Sequence, residues 1–191
     1  MDLIIDRLDH GPVSLELLAE RHREELREAA NADPEIWDIY PYSMAGPHFD
    51  PWWEASMTRQ GQERIRFAVC LDGRCIGTSS YLNIEPEGGA VEIGGTYYRP
   101  EVRGGVVNPA TKLLMIGHAF TRGARRVAFK VDAINARSRA AVLKLGAVQE
   151  GILRHSGVTW TGRVRDAVVF SILADEWPGV EAGLSARLQE F

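Results

Sequence analysis

Cysteine is scarce in this 191-residue chain. There are two, Cys70 and Cys75, with no histidine near them in sequence, so no zinc-type ligand set and no disulfide framework is written into the chain. They flank Asp72-Gly73, a two-residue hairpin signal, and so should face each other at a non-hydrogen-bonded pair. A disulfide is geometrically possible there, but two reduced, buried thiols suit a cytosolic setting. Long apolar runs are lacking too: none approaches the ~18 residues of a membrane span, and the opening MDLIIDRLDH has no signal-peptide pattern. The expectation is a soluble, cytoplasmic protein with no membrane partner. Positive charge is not in excess. With 22 Lys and Arg against 26 Asp and Glu, the net charge is −4, which argues against a general nucleic-acid binder. No repeat, low-complexity tract or interdomain linker interrupts residues 1–191, so a single domain is expected, with 45% apolar residues for its core.

Two phosphate motifs are also missing. Neither the P-loop pattern G-x-x-x-x-G-K-S/T nor the dinucleotide pattern G-x-G-x-x-G occurs. What is present is the stretch from Tyr97 to Phe120, YYRPEVRGGVVNPATKLLMIGHAF. A strand over Ala90 to Tyr98 runs into a turn carrying Arg103, Gly104 and Gly105, then into a helix with Asn108 as N-cap and Pro109 at its first position. Such a helix start gathers unpaired backbone N–H groups at the positive end of a helix dipole. Phosphate suits it, with Arg103 alongside, although Arg103-Gly104-Gly105 by itself reads equally as a structural turn.

Taken in order, Val13, Leu15 and Leu17 alternate as a first strand. A helix follows from Leu18 through His22, Leu26 and Ala29, stopped by Asp33-Pro34. The next stretch is dense in aromatics (Trp37, Tyr40, Tyr42, Phe49, Trp52, Trp53) among prolines and glycine, with a short helix from Asp50-Pro51 to Met57. These rings either wall a substrate cleft or pack as a satellite core. Phe67 to Leu71 and Arg74 to about Leu82 form a hairpin around Asp72-Gly73. A loop holding Pro86, Gly88 and Gly89 leads into the strand from Ala90, so the meander is antiparallel. After the glycine-turn helix, Val127 to Asp132 is a strand reached by a helical crossover and should lie parallel to its predecessor. Ala133 to Leu145 is a second helix with Gly146 as its C′ residue. Gln149 to His155 and Ala167 to Leu173 pair around Thr161-Gly162, and Asp175 and Pro178 open a last helix burying Leu184 and Leu188. The fold class is α/β (α+β): a mixed, mostly antiparallel sheet splayed at its middle and flanked by helices.

Two strands that diverge expose backbone groups with which an extended amide-bearing ligand can pair, while its phosphates sit at the nearby helix start. Coenzyme A has that form, with two amides in pantetheine followed by a pyrophosphate. Three segments make the point firmer: EIGGTYYRPEVRGGVVNPATKLLMIGHAF, NARSRAAVLKLGA and EGILRHS…GRVRDAVVFSILADEWP. In these the sequence resembles the GNAT superfamily of acyl-CoA-dependent N-acyltransferases, and more narrowly its RimJ/RimL-type branch, named for ribosomal-protein N-terminal acetyltransferases. The likeness runs from Val13 to about Pro178. The family's pyrophosphate loop reads Gln or Arg, two free positions, Gly, one free position, then Gly or Ala. Here Glu101, Gly104 and Val106 stand there, so the first and last depart, placing a charge and a branched side chain near the phosphates.

The resemblance implies further roles. Tyr97, Tyr98, Arg103, Gly104, Gly105, Val106, Val107, Asn108, Asn135, Ser138 and Arg139 would contact the cofactor, with Asn135 on the pantetheine arm or simply capping the helix after it. Glu92 would act through water as general base, since an amine is protonated at neutral pH and must lose a proton before attacking a thioester. Many relatives carry a tyrosine seven residues after the asparagine to protonate the departing thiolate; Val142 stands there, and Ser138 is the nearest hydroxyl for that task. Lys112, Arg137 and Arg139 are within reach of CoA phosphates by this likeness, but each by itself reads mainly as surface charge on a helix. Trp37, Tyr40, Trp53 and His155 are placed on the acceptor side. The expected function is acetyl transfer from acetyl-CoA, with no metal, to a primary amine in a ternary complex. The acceptor is either a protein N-terminus or a small amine, and a homodimer is left open. The alternatives are a non-catalytic acyl-CoA or nucleotide-binding module, or a transferase for a longer acyl group such as succinyl.

Overall fold

The computed structural model describes residues 1–61 and 64–191. Its frame is one eight-stranded sheet in the order β1-β2-β3-β4-β5-β6-β8-β7. The strands are β1 (Arg7–His10), β2 (Val13–Leu17), β3 (Arg64–Leu71), β4 (Arg74–Glu85), β5 (Ala90–Tyr98), β6 (Arg126–Asp132), β7 (Val148–Val158) and β8 (Val164–Leu173). Every neighbouring pair is antiparallel except β5 and β6, which are parallel and joined by the helix α3 (Val107–Thr121). A parallel pair needs such a crossover because its strands must start from the same end.

Strand periodicity divides the core into two layers. Along β3, Ile65, Phe67 and Val69 pack with Val91 and Ile93 of β5 and with Ala110, Met115 and Ile116 of α3. Leu184 of α5 (Trp177–Leu188) closes that layer. The alternate residues Ala68 and Cys70 face Leu26 and Ala29 of α1 (Arg23–Asn31) and Trp52 and Trp53 of α2 (Phe49–Thr58). The same parity places Arg66 and Glu92 on the α1/α2 face of the sheet.

The Asp72-Gly73 turn has positive φ at both residues, which is the backbone a two-residue hairpin requires, and it sets Cys70 opposite Cys75. Both thiols are free and buried. β1 was not foreseen: it is a four-residue edge strand of alternating charge, with no buried residue to give an apolar pattern. The first helix starts at Arg23 rather than Leu18, because Glu20–His22 forms a 3-10 turn before it. At α3 the expected cap is corrected. The helix begins at Val107, so Pro109 lies third in its first turn, where a missing N–H is still harmless, and Asn108 makes no capping bond; its Oδ1 accepts from the Tyr98 hydroxyl at 3.3 Å. Asn135 does cap α4 (Ala136–Lys144), accepting from the backbone N–H of Ser138 at 3.0 Å. That cap explains why α4 starts later than Ala133.

Candidate active site

The sheet opens between its two parallel strands. β5 pairs with β6 only through Ala90, Val91 and Glu92, although β5 continues to Tyr98 and β6 to Asp132. The cause lies on the other side of β5. Ser80 pairs with Gly94 and Thr78 with Tyr97, so Ser79 alone faces Gly95 and Thr96, a one-residue bulge that bends the strand away. Gly95 sits at φ +57°, and a Cβ there would come within 3.1 Å of the Tyr42 hydroxyl. Only glycine meets both demands without strain. The bulge is pinned from both faces: the Tyr40 hydroxyl donates to the Thr96 carbonyl at 2.7 Å, and the Lys112 ammonium donates to Thr96 Oγ1 at 2.9 Å.

Below the opening lies the start of α3. Gly104 turns at φ +84°, and the backbone N–H groups of Gly104, Gly105, Val106, Val107 and Asn108 donate to no protein acceptor among the described residues. Five consecutive free donors at a helix N-terminus form a cradle for a pyrophosphate. The two departures in this loop do not close it. Val106 packs its side chain against the core, and Glu101 is ion-paired with Arg99. Opening and cradle line one cavity of about 1120 Å³, which also takes in Tyr40, Glu92, Tyr98, Arg103, Asn135 and Ser138. An extended molecule with amides in its middle and phosphates at one end fits that outline.

The comparisons agree with this geometry. Residues 13–148 match the model of the acetyltransferase (GNAT) domain. The chain belongs to the GNAT acetyltransferase family. A solved protein from T. thermophilus described as an acetyltransferase is 35% identical, with a TM-score of 0.88 over 97% of this chain and 98% of that one. A GCN5-related N-acetyltransferase from Brucella melitensis is 27% identical, with a TM-score of 0.88 over 95% and 85%. In fold it also resembles Mycobacterium smegmatis RimJ, solved with CoA-disulfide, at 21% identity and a TM-score of 0.77 over 91% and 88%, and the ribosomal L7/L12 acetyltransferase RimL. A search of curated proteins found no significant match. This GNAT protein is therefore an N-acetyltransferase of a family that uses acetyl-CoA, and the free amides of its α3 cradle suit that co-substrate.

Within the acetyltransferase cavity, Glu92 is buried and held by one oxygen. Its Oε2 accepts from Asn83 Nδ2 at 2.8 Å and pairs with Lys130 Nζ at 3.1 Å. Its Oε1 lies over Gly94, where a Cβ would approach it to 3.4 Å. Arg103 lines the cavity but is largely committed elsewhere. Its Nε donates to the Tyr98 carbonyl, its Nη1 pairs with Asp33, and its plane lies over the Tyr97 ring, leaving a buried Nη2 without a partner among the described residues. Tyr97 turns its hydroxyl into the core, donating to the Ala29 carbonyl, and burial pushes its pKa up to about 12. Tyr98 is likewise raised by burial.

Other expected residues are not brought to the cavity. Trp37 is fully buried, its indole N–H donating to the Ala30 carbonyl and its ring centroid 5.0 Å from that of Tyr40 and 4.6 Å from that of Tyr97. Trp53 is buried against Phe49 with its N–H on Glu20. Both belong to the satellite core, because α1 and α2 cover that face of the sheet. Val107 is buried in the main core and could offer only its backbone. Arg137 lines the cavity in place of Arg139. His155 lies on a shallow depression with Ile152 and Arg154, at a left-handed position of β7.

Lys112 reverses its surface reading: it is only 5% exposed beneath the opening, 5.9 Å from the Phe129 ring, and burial depresses its pKa to about 7. Sequence reasoning also passed over Arg66, Asn83 and Lys130. Arg66 had a signal, a charged residue at the same strand parity as the buried Ala68 and Cys70. One further cluster, Glu16, His22 and Cys70, has metal-like spacing. Its hydrogen bonds argue against ligation: His22 Nδ1 accepts from the Ala19 N–H, so Nε2 carries the proton and donates to Glu16, which two arginines also hold. Among the described residues no helix is long and apolar enough to cross a membrane.

Proposed function

We propose that this acetyltransferase moves an acetyl group from acetyl-CoA to a primary amine by direct attack within a ternary complex, with Glu92 as general base. Acetyl-CoA, when bound, supplies a thioester that an amine can attack. The observation that carries the reading is the asymmetry of Glu92: Asn83 and Lys130 fix Oε2, while Oε1 has no protein partner among the described residues and lies in the opening. A fixed carboxylate with one free oxygen suits removal of a proton from an ammonium, directly or through one water. The unpaired edge of β5 offers backbone N–H groups for developing oxyanion charge. Gly104 to Asn108 would hold the pyrophosphate and Asn135 the pantetheine arm; its cap bond uses only the carbonyl oxygen. The Ser138 hydroxyl, which lines the same cavity, would donate to the departing thiolate. A protein N-terminus and a small amine are the two candidate acceptors, and a longer donor such as succinyl-CoA tests the width of the opening.

The test is thiol release from acetyl-CoA and succinyl-CoA across a panel of amines, with the wild type and Glu92→Gln. The variant should lose roughly 10²- to 10⁴-fold in kcat while its affinity for CoA holds. A variant of unchanged kcat removes Glu92 from the chemistry.

A further inference from the structure

The cavity extends past Glu92 towards β3, and there it contains a charge with no counterion among the described residues. Arg66 of β3 is 2% exposed, and its Nε and Nη1 have no hydrogen-bond partner there. No described carboxylate contributes to its electrostatic surroundings: Tyr42, whose hydroxyl faces it at hydrogen-bonding range, favours the charge, and a second cation, Arg64, opposes it. Burial holds its guanidinium below the ordinary arginine pKa, and Arg64 pushes the same way. It stays charged nonetheless, because arginine does not deprotonate in proteins. A buried cation without a partner is costly, and proteins seldom leave one so.

Its neighbours are also unpaired donors. Trp52 Nε1 and Ser80 Oγ are buried without a partner among the described residues, and the buried Tyr42 hydroxyl meets only the Arg66 guanidinium there, which leaves its own proton to donate. The guanidinium lies 4.6 Å over the Trp52 ring, and Tyr42 packs against Trp52 at 6.3 Å. Tyr42 and Ser80 both approach the bulge, lying 3.1 and 3.7 Å from where a Gly95 Cβ would be. Arg66, Tyr42 and Trp52 line the cavity, as do Arg59 and Arg64.

Sheet register relates this cluster to the reaction centre. Arg66 pairs with Ser80, and Ser80 with Gly94, the residue beneath Glu92 Oε1. Paired residues share a face, and two strand spacings are about 10 Å. A side chain as long as arginine closes much of that gap. Acidic groups at the cavity wall are few: Glu92 is engaged by Lys130, and Asp132 by Arg163 and Arg165.

We infer that Arg66, Tyr42 and Trp52 form an anion subsite for a carboxylate on the acceptor, with Ser80 buried behind them, so that the substrates are amino carboxylates rather than polyamines or aminoglycosides. The inference rests on the proposed transfer to an amine and names the class of amine. The guanidinium receives the carboxylate by charge-assisted hydrogen bonds, and the Tyr42 hydroxyl and the Trp52 indole N–H fill its remaining lone pairs. The α-amino acid and the acidic peptide share this chemistry, and acceptor length separates them.

Two measurements decide it. In the first, N-acetylglycine and N-acetylglycinamide are titrated calorimetrically into the CoA-loaded protein, a readout that needs no turnover. N-acetylglycine should bind at least about tenfold more tightly to the wild type, and Arg66→Gln should abolish the difference with CoA affinity unchanged. Equal binding of acid and amide to the wild type overturns the subsite. In the second, kcat/KM is compared for glycine, longer ω-amino acids, acidic dipeptides, the matching amides, and spermidine. Carboxylates should be preferred, with the preferred length giving the source. If neutral amines or spermidine react as well as the acids, the subsite fails while the transferase reading stands; if no amine reacts, that reading fails while the calorimetry still judges the subsite. Should Arg66→Gln not fold, Tyr42→Phe serves, with a smaller loss of the same selectivity expected and an unchanged ratio counting against the proposal.

Discussion

Lys112 gives the sharpest physical test of the fold around the opening. Its ammonium is buried, bonded to one neutral hydroxyl and near one aromatic ring, and no carboxylate among the described residues is its partner. Burial lowers its pKa from 10.5 to about 7 in the folded protein. In the unfolded chain it titrates at the ordinary lysine value. Between about pH 7 and about pH 10.5 the unfolded state therefore holds a proton that the folded state has released, so stability rises with pH in this window. Below about pH 7 both states are protonated, and the folded protein carries the full penalty of a buried charge. The slope is about 1.4 kcal/mol per pH unit. Other groups titrate in the same range, so the quantity to measure is the difference between the wild type and Lys112→Met. Urea unfolding of both, without ligand, should show the wild type gaining about 2 kcal/mol on the variant from about pH 7.5 to about pH 9. The difference should be level below about pH 6. A difference independent of pH across the whole range would refute the reasoning, because it would mean that the ammonium keeps its proton, solvated or paired, in the folded state.

Three further outcomes follow from the same geometry. Gly95→Ala should lose about 1 to 2 kcal/mol of stability from its left-handed backbone alone, and more from the Tyr42 hydroxyl; thermal unfolding checks the first and acetyl transfer the second, since the bulge sets the opening. At Gly104 an added Cβ meets no neighbour within 4 Å, so Gly104→Ala should act on the φ +84° turn and weaken CoA binding about tenfold, roughly 1.4 kcal/mol, by calorimetry. Trp37→Ala should cost about 3 to 5 kcal/mol of stability, with KM for the acceptor little changed in whatever fraction folds. A large KM effect with intact stability would instead make Trp37 a wall of the acceptor site.

Much of the fold was legible because its signals are local. The Asp72-Gly73 hairpin, the parallel strand after the crossover, Asn135 as a cap and Gly146 past a helix end each depend on a few neighbouring residues. Where a helix starts was less so: Asn108 has the right side chain for a cap, yet the Gly104-Gly105 turn brings Val107 into the helix first and hands Asn108 to Tyr98. The aromatics between Trp37 and Trp53 show the same limit. Their composition does not say which rings face a cleft, and the packing of α1 and α2 buries Trp37 and Trp53 while leaving Tyr40, Tyr42 and Trp52 at the cavity.

The sequence by itself determined the order of strands and helices from β2 onwards, the glycine turn feeding a helix start, and the motifs that resemble a GNAT protein, because these are written in periodicity and in residues adjacent along the chain. Only the tertiary structure decided that β5 bends away from β6, that Glu92 has one oxygen fixed and one without a partner among the described residues, and that Lys112 and Arg66 are buried. Those facts depend on contacts between residues far apart in the chain, such as Gly95 with Tyr42, Lys112 with Thr96 and Arg66 with Trp52. Burial and its electrostatic consequences exist only once the sheet has closed its helices over them.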